Sequence, residues 1–466
     1  MTLRRYERYK DSGVEWLGHV PADWEVFQLR RVIVRIEQGW SPECESRPAE
    51  EGEWGVLKTG CVNGGRFNPL ENKALPSHLE AAPELEVATG DLLMSRASGS
   101  PELVGSTALV TQTPTRLLLS DKTFRLHVNQ RVHKDFLAWC LASRPLRAQI
   151  ECAISGAAGL ANNLPQSSLL EFVAPFPSSR EQRAIAAYLD RETAKIDTLI
   201  ADQQRLIHLL TEKHQAASAD AVTKGVIPAA PMKHSGVEWL GDVPAHWEVS
   251  RLKFVALVQT GVAKGKDNTG KATVDVPYLR VANVQDGYLN LEDVSTIEIP
   301  VTDLPRYELR AGDVLMNEGG DFDKLGRGHI WDGSIQPCIH QNHVFAVRPF
   351  GISPEWLNAV TGSAYAQFYF MSRSKQSTNL ASISSTNIME LPIPIPPADE
   401  QRAILQSMTA KSAAIDDLIA DARQSTRLLR ERRTALIAAA VTGLIDVRPI
   451  SPLDTAPTET AADIAS

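Results

Sequence analysis

The chain has 466 residues, 43% of them hydrophobic and 22% charged, and a formal net charge of −8. This length predicts two to four domains, and the acidity argues against a stand-alone nucleic-acid binder, which would need a basic surface. Five scattered cysteines without a Cys-x-x-Cys pair argue against a disulfide framework or a zinc site and suit a reducing cytoplasm. The charged N-terminus lacks an apolar stretch, and the longest apolar run, 435–441, is short, so we expect neither a signal peptide nor a membrane span.

A short motif near the start of the chain occurs twice. Residues 12–26 (SGVEWLGHVPADWEV) recur as residues 235–249 (SGVEWLGDVPAHWEV), and 13 of the 15 positions are identical. Shorter matches follow in the same order, at residues 57–58 and 279–280, 90–94 and 312–316, 181–185 and 400–404, and 221–223 and 440–442. A period this long is not a solenoid repeat and indicates duplication of a whole domain with its connector. Between the matches the two halves diverge.

Each half begins with a region that mixes strand and helix patterns. Residues 1–177 and 226–396 contain short β-branched runs, separated by glycine, proline and asparagine turns and interrupted by helical stretches. Proline-rich segments at 175–177 and 392–397 end these regions, because proline continues neither a central strand nor a helix. We therefore expect two α+β domains at these positions.

A long helix follows each domain, predicted at 178–225 and 397–445. Both helices begin with Ser or Asp close to a glutamate, as a helix N-terminus prefers. Apolar residues at steps of three, four and seven form a seam along each helix, at Ile185, Leu189, Ile196, Leu199, Leu206 and Leu210, and at Ile404, Met408, Ile415, Leu418, Leu429 and Leu436. Ordinary core packing is the simpler interpretation of any single seam.

The two seams together favour a helix pair. About 40 helical residues span roughly 60 Å, which is too long to bury a seam on one small domain. Duplicated units that pack through equivalent helices tend to be related by a pseudo-two-fold axis. We therefore expect an antiparallel coiled coil with a domain at each end, at a separation typical of dimeric DNA readers. Residues 446–466 are rich in Pro, Thr, Ala and Ser and are predicted to form a disordered tail.

The ordered, duplicated set of motifs resembles the DNA-specificity (S) subunits of type I restriction–modification systems. It consists of G-x-x-W-L-G-x-x-P-x-x-W-E, then E-Q-R-A-I beginning at Glu181 and Glu400, then A-V-T ending at Thr223 and Thr442. The residues of the first motif are Trp16, Leu17, Gly18, Pro21, Trp24 and Glu25, and Trp239, Leu240, Gly241, Pro244, Trp247 and Glu248. The resemblance covers nearly the whole chain except its last segment.

The resemblance implies a function as well as a fold. It implies two target-recognition domains, each reading one half of a bipartite sequence in double-stranded DNA across an unread spacer. The helices would set the spacer length and bind two methyltransferase subunits, with restriction and translocase subunits completing the complex. S-adenosylmethionine, ATP and magnesium would belong to those partner subunits, so this chain would bind no cofactor directly. Partner subunits that help to hold the duplex would also explain why the chain itself is not basic.

The sequence lacks the common catalytic motifs. It contains no G-x-x-x-x-G-K-[ST] phosphate loop, no N-P-P-[FY] methyltransferase motif and no H-E-x-x-H metal motif. We therefore expect a non-catalytic chain, without catalytic, cofactor-binding or metal-binding residues. A self-contained methyltransferase or nuclease would be the enzymatic alternative.

Candidate DNA-reading residues are polar side chains in the divergent or loop-like parts, because Arg and Lys recognise guanine and Asn and Gln recognise adenine in the major groove. In the first domain they are Lys58, Arg66, Asn68, Arg96 and Ser98. In the second they are Lys264, Lys266, Lys271, Arg280, Asn283, Lys324, Arg327, Arg373, Lys375 and Gln376. A solvated surface charge is the alternative for each one. Lys58 and Arg280 hold equivalent positions, which could equally mean a shared phosphate contact.

The sequence also allows two further interpretations. The first is a two-domain scaffold that bridges proteins without reading DNA, and the net acidity mildly favours it. The second concerns the tryptophans of the repeated motif, which we interpret as packing anchors rather than platforms for base stacking.

Overall fold

The computed structural model describes residues 4–114, 116–154, 162–265, 268–320, 322, 325–376 and 381–448. The chain divides into two compact units. The first unit comprises Met1–Gln203 and Gln424–Ser466, and the second comprises Gln204–Arg423. Among the described residues, no helix is long and apolar enough to cross a membrane.

The first unit begins with thirteen described strands and three short α-helices, besides a few 3-10 turns. The strands are β1 (Tyr9–Asp11), β2 (His19–Pro21), β3 (Glu25–Gln28), β4 (Ile33–Gln38), β5 (Gly55–Leu57), β6 (Asn72–Ala74), β7 (Leu92–Ser95), β8 (Ala97–Ser98), β9 (Thr107–Leu109), β10 (Leu117–Leu118), β11 (Thr123–Val128), β12 (Asn162–Asn163) and β13 (Val173–Phe176). The helices are α1 (Lys134–Ala142), α2 (Arg144–Ala153) and α3 (Gln166–Glu171). The long helix α4 (Ser179–Lys224) follows, close to the predicted 178–225.

The second unit repeats this layout. Its strands are β14 (Met232–His234), β15 (Asp242–Pro244), β16 (Glu248–Arg251), β17 (Ala256–Thr260), β18 (Thr273–Leu279), β19 (Ser295–Pro300), β20 (Val314–Asn317), β21 (Gly319–Gly320), β22 (Gly328–Ile330), β23 (Ile339–His340), β24 (Val344–Pro349), β25 (Lys375–Gln376), β26 (Ala381–Ser382) and β27 (Pro392–Ile395). Its helices are α5 (Leu304–Tyr307), α6 (Pro354–Thr361), α7 (Ala364–Arg373), α8 (Ser385–Met389) and the long α9 (Ala398–Val441), which was predicted at 397–445.

The two units have the same sheet order. An antiparallel four-stranded sheet runs β4-β11-β7-β9 in the first unit and β17-β24-β20-β22 in the second. A three-stranded sheet with one parallel pair accompanies each, β10-β5-β6 and β19-β18-β23. The mixed α and β content agrees with the predicted α+β class. The two halves therefore share one backbone architecture although their sequences diverge.

The repeated Glu-Gln pair attaches each long helix to its domain. The Gln182 amide donates to the Pro177 carbonyl at 3.0 Å, and the Gln401 amide donates to the Pro396 carbonyl at 2.9 Å. Both glutamines are buried. A buried amide needs hydrogen-bond partners, and here it finds them in the turn between the last strand and the helix. This explains why the motif is retained in both halves.

The core of each unit also includes the C-terminal end of a long helix. In the first unit, Ala440 and Val441 of α9 belong to the same buried cluster as Trp24. In the second unit, Val222 of α4 belongs to the same buried cluster as Trp247. The repeated A-V-T segment is therefore a packing motif. Each domain thus combines the start of its own helix with the end of the helix that follows the other domain.

The packed chain continues beyond α9 and past the predicted start of the tail at residue 446. Ile445 and Val447 are buried in the first unit, and the Asp446 amide donates to the Arg4 carbonyl at 2.8 Å. The two buried side chains and the backbone hydrogen bond between them hold this segment on the domain. Of the predicted tail, residues 449–466 lie outside the described residues.

One buried position differs in polarity between the equivalent sheets. Leu119 in the first unit corresponds to His340 in the second, since their carbonyls accept from Trp40 and Val262 at 3.0 and 2.9 Å. The His340 ring is fully buried and its Nδ1–H donates to the Val344 carbonyl at 2.7 Å. Burial lowers the pKa of His340 to about 4.

Substitution of Gly443 tests how tightly the end of α9 packs on the first unit. Gly443 has a φ of +75°, and a methyl group there would overlap the Pro21 ring and lie 3.3 Å from Trp24. We expect Gly443→Ala to lower the free energy of unfolding by about 2–4 kcal/mol, from left-handed strain plus overpacking. Gly13→Ala is the matched control, because Gly13 has a φ of +72° in open space. Equal losses in urea unfolding would contradict tight packing at Gly443.

Substitution of His340 tests its burial through the pH dependence of stability. In the unfolded chain the imidazole takes up a proton near pH 6.5, whereas in the folded chain it does so near pH 4. The unfolded state therefore binds more protons in this window, and stability falls as the pH falls from 6.5 to 4. We expect His340→Leu to remove about 2 kcal/mol of the loss between pH 7 and pH 5. The exposed His78→Leu serves as control and should leave the profile of urea midpoints unchanged.

Candidate nucleic-acid interface

Lys58 and Arg280 each form an ion pair at equivalent places. Lys58 Nζ lies 3.8 Å from Glu71, and Arg280 Nη2 lies 2.9 Å from Asp293. The acids hold equivalent positions as well, so the pair belongs to the shared frame. Both basic side chains remain partly exposed. An exposed cation with an acidic partner can still contact a phosphate, but it carries little information that differs between the units.

Asn68 closes a turn that is common to both units. Its Oδ1 accepts from the Leu70 amide at 3.1 Å, as Asn290 Oδ1 accepts from Glu292 at 3.1 Å. This is the local bond by which asparagine stabilises a turn. The Asn68 side chain is exposed, but its oxygen already has a structural role.

The prediction that Asn283 reads DNA is wrong, because the structure places this side chain inside the second domain. It is buried, and its amide donates to the carbonyls of Asn290 and Asp293 at 2.9 and 2.8 Å. Its Oδ1 accepts from the Arg280 amide at 2.8 Å. The side-chain NH2 group and oxygen that would bind adenine are therefore already hydrogen-bonded within the loop. The equivalent position in the first unit is the buried Cys61, and exposure could not be read from the residue type.

Arg66 is directed to the long helices of the first unit. Its guanidinium lies 3.0 Å from Asp197 of α4, and Asp197 also lies 2.9 Å from Arg433 of α9. These residues line a cleft of about 490 Å³ with Trp139 and Asp190. The indole of Trp139 donates to Asp190 at 2.9 Å, and burial raises the pKa of Asp190. Arg66 thus links a domain loop to α4, and Asp197 in turn links α4 to α9.

Small sheets bring other candidates together. In the first unit β8 pairs with β12, which places Ser98 opposite Asn162. In the second unit β26 pairs with β21 on one side and β25 on the other, which places Lys375 opposite Ser382 and Gln376 opposite Ala381. Lys375 and Gln376 are exposed. Each small sheet is therefore a site at which polar side chains from separate segments meet.

The residue before each small sheet is Arg96 in the first unit and Glu318 in the second. Arg96 Nη1 donates to the Asp121 carbonyl at 3.3 Å, and its neighbour Lys122 is exposed. The Glu318 carboxylate lies 2.6 Å from Nδ1 of His343. The charge at this position therefore differs between the units, although sequence inspection selected only Arg96.

The remaining candidates are dispersed. Lys264 and Lys271 lie exposed in the segment between β17 and β18, and Arg373 is exposed at the end of α7. Arg327 is half-buried, and its carbonyl accepts from the Asn317 amide at 3.0 Å. Lys266 and Lys324 lie outside the described residues. Within the described part of the chain, no group of three or more His, Cys, Asp or Glu side chains could hold a metal ion.

The tryptophans of the repeated motif divide into two classes. Trp24 and Trp247 are buried, as expected for packing anchors, but Trp16 and Trp239 are 43% and 39% exposed. An exposed indole is unusual, and here it recurs at the same place in both units within an almost identical segment. The pattern indicates two similar surfaces. The sequence signal was the motif itself, but only burial separated its two tryptophans.

Comparison with known proteins agrees with the motifs. The family described as "Type I restriction modification DNA specificity domain" matches residues 244–424. The type I restriction enzyme EcoEI specificity subunit of Escherichia coli is 30% identical over 210 residues, which are 45% of this chain but only 34% of that protein. The EcoKI specificity subunit of Escherichia coli strain K12 is 21% identical over 437 residues, covering 91% of this chain and 90% of that one.

A solved structure supports the fold over most of the chain. It comes from work on complex assembly and conformational transition of the type I R-M system, with 17% sequence identity and a TM-score of 0.61, and the match covers 91% of this chain and 98% of that one. At this identity the likeness concerns the fold alone. Together with the family match and these relatives, the duplicated motifs make the chain similar to the specificity subunits of type I restriction–modification systems.

Proposed function

We propose that this chain is the non-catalytic DNA-reading subunit of a type I restriction–modification complex, with each unit reading one half of a bipartite site in double-stranded DNA. The observation that carries the proposal is one backbone plan used twice with different polar side chains on its loops. A shared plan suits a common duplex and common partners. Different side chains suit two different base sequences, because base edges in the major groove differ in their donors and acceptors.

We further propose that the long helices form an antiparallel coiled coil that sets the spacer length. Two contacts, each inside one unit, support this. Asp197 of α4 pairs with Arg433 of α9 at 2.9 Å, and His214 of α4 lies 2.7 Å from Ser412 of α9. As the residue number rises along α4, the number of its partner on α9 falls, which is the signature of antiparallel helices. The proposed arrangement relates the two domains by a pseudo-two-fold axis.

The proposed partners are two methyltransferase subunits and the restriction and translocase subunits. The matching exposed tryptophans, Trp16 and Trp239, support two docking surfaces for two copies of one protein, since identical partners need similar surfaces. S-adenosylmethionine, ATP and magnesium would be bound by those subunits. Their help in holding the duplex would reconcile DNA binding with a net charge of −8.

Exchange of one domain tests independent half-site reading. Residues 27–177 would be replaced by the corresponding segment of a relative with a different target, and the methylome of the host would be sequenced with the partner subunits present. We expect one half of the methylated motif to change while the other half and the spacer stay the same. The matched control exchanges the segment after residue 249 and should change the opposite half. A motif altered in both halves, or a methylome that does not depend on this chain, would refute the proposed function.

Shortening the helices tests the proposed ruler. Deleting residues 200–213 from α4 together with 415–428 from α9 removes about two heptads from each helix, or roughly 21 Å. At 3.4 Å per base pair, we expect a spacer shorter by about six base pairs and unchanged half-sites. The control removes the segment from α4 alone, which breaks the pairing and should abolish methylation. An unchanged spacer in the paired deletion would rule out the ruler.

A further inference from the structure

We propose that Arg96 and Glu318 occupy one equivalent base-reading position, at which the two units recognise different bases. This inference rests on the proposed function and deepens it. Arg96 would recognise a guanine in one half-site, and Glu318 a cytosine in the other. It assigns a role to Glu318, an acidic residue in a position where a DNA-binding protein would ordinarily avoid negative charge.

The equivalence rests on backbone hydrogen bonds. The Arg96 amide donates to the Lys122 carbonyl at 2.9 Å, and the Glu318 amide donates to the His343 carbonyl at 2.9 Å. The carbonyls of Arg96 and Glu318 accept from Leu164 and Ile383, both at 2.9 Å. Each residue is therefore held on both sides by the same pair of strand-like bonds.

The preceding residue extends the match. The amides of Ser95 and Asn317 donate to the carbonyls of Ser106 and Arg327, at 2.8 and 3.0 Å. Their own carbonyls accept from Gly105 and Gly326, at 2.7 and 3.2 Å. Two chains that follow the same path must present the next side chain from the same point of the backbone. The units thus share the frame here but not the side chain.

The charge is inverted at this position, whereas two other equivalent pairs of polar residues keep their character. Lys58 and Arg280 are both cations with an acidic partner, and Asn68 and Asn290 close the same turn. Those residues support a frame or a phosphate contact that both units need. At Arg96 and Glu318 one unit has a cation and the other has a carboxylate. A position that serves both units in the same way would not tolerate that change.

The chemistry of a carboxylate restricts what Glu318 can do at a duplex. It accepts hydrogen bonds only and is repelled by phosphate, so it cannot contribute a backbone contact. Glutamate does accept from the exocyclic amino group of cytosine in the major groove, and arginine donates two bonds to guanine O6 and N7. The His343 ring, 2.6 Å from Glu318, leaves the second carboxylate oxygen for such a contact.

Space for a base edge exists beside Glu318. A cavity of about 490 Å³ is lined by Val281, Glu318, Gly319, Gly320, His343 and Ala381. An added methyl group at Gly320 would meet no atom of the described residues within 4 Å. Glycines at a surface let another backbone or a base approach closely. The Glu318 side chain is 29% exposed, so it is both held in place and within reach.

Conservative substitutions test the assignment. Glutamine prefers adenine, for which it forms two bonds. We expect Glu318→Gln to change one base of one half-site from cytosine to adenine, and Arg96→Gln to change one base of the other half-site from guanine to adenine. The switch in relative methylation of duplexes that differ at that base should be roughly 5- to 150-fold. The readouts are methylome sequencing and competition binding by the assembled complex. Glu355→Gln is the matched control and should keep the parental motif, because Glu355 of α6 lines a separate cleft with the first residues of α9.

Each outcome separates this inference from the proposed function. A wild-type chain that directs a bipartite motif, with both variants keeping that motif, overturns the inference and leaves the function standing. An even loss of methylation at all sequences, or a fall in thermal stability beyond that of Glu355→Gln, assigns the residues to phosphate contact or to folding and also overturns it. A wild-type chain without any effect on the methylome overturns the function itself.

Discussion

Each domain of this chain depends on burial of one tryptophan beneath the end of a long helix. Trp24 lies in the same cluster as Ala440 and Val441 of α9, and Trp247 lies with Val222 of α4. Burial of a large side chain stabilises by about 2 kcal/mol or more, a large part of the net stability of a domain. The glycine after each helix, Gly443 or Gly225, leaves no room for a side chain next to that indole. A domain therefore needs both long helices to complete its core.

This constraint explains which parts of the two halves stayed alike. The repeated Trp motif, the Glu-Gln pair and the A-V-T segment all lie where a helix meets a domain, and each makes a specific contact there. Changing any of them would open a cavity or leave a buried amide without a partner. Exposed side chains of the loops and small sheets, such as Lys375 and Gln376, make no such contact, so they could diverge while the backbone kept its path. The proposed reading of two different sequences would use the divergent side chains, while the retained motifs keep the fold.

Several basic side chains on the loops form ion pairs within the chain. Arg66, Lys58 and Arg280 each have an acidic partner within 4 Å, which offsets much of their positive charge. Under the proposed function, the chain would add sequence preference to a duplex that other subunits hold. The proposed complex reconciles the acidic net charge with DNA reading, because the other subunits would supply much of the affinity.

The duplication, the two α+β domains and the two long helices, within a few residues of their ends, could be predicted from the sequence, because repeated motifs and heptad periodicity are local signals. The resemblance to type I specificity subunits rests on the same repeated motifs. The three-dimensional structure was needed to establish that Asn283 is buried whereas Lys375 is exposed, and that Trp16 is exposed whereas Trp24 is buried. It was also needed to find that Glu318 occupies the position equivalent to Arg96. Burial and equivalence depend on strands that are distant along the chain. Residue type and spacing indicate which interactions a side chain can form, whereas the fold determines which partners it meets.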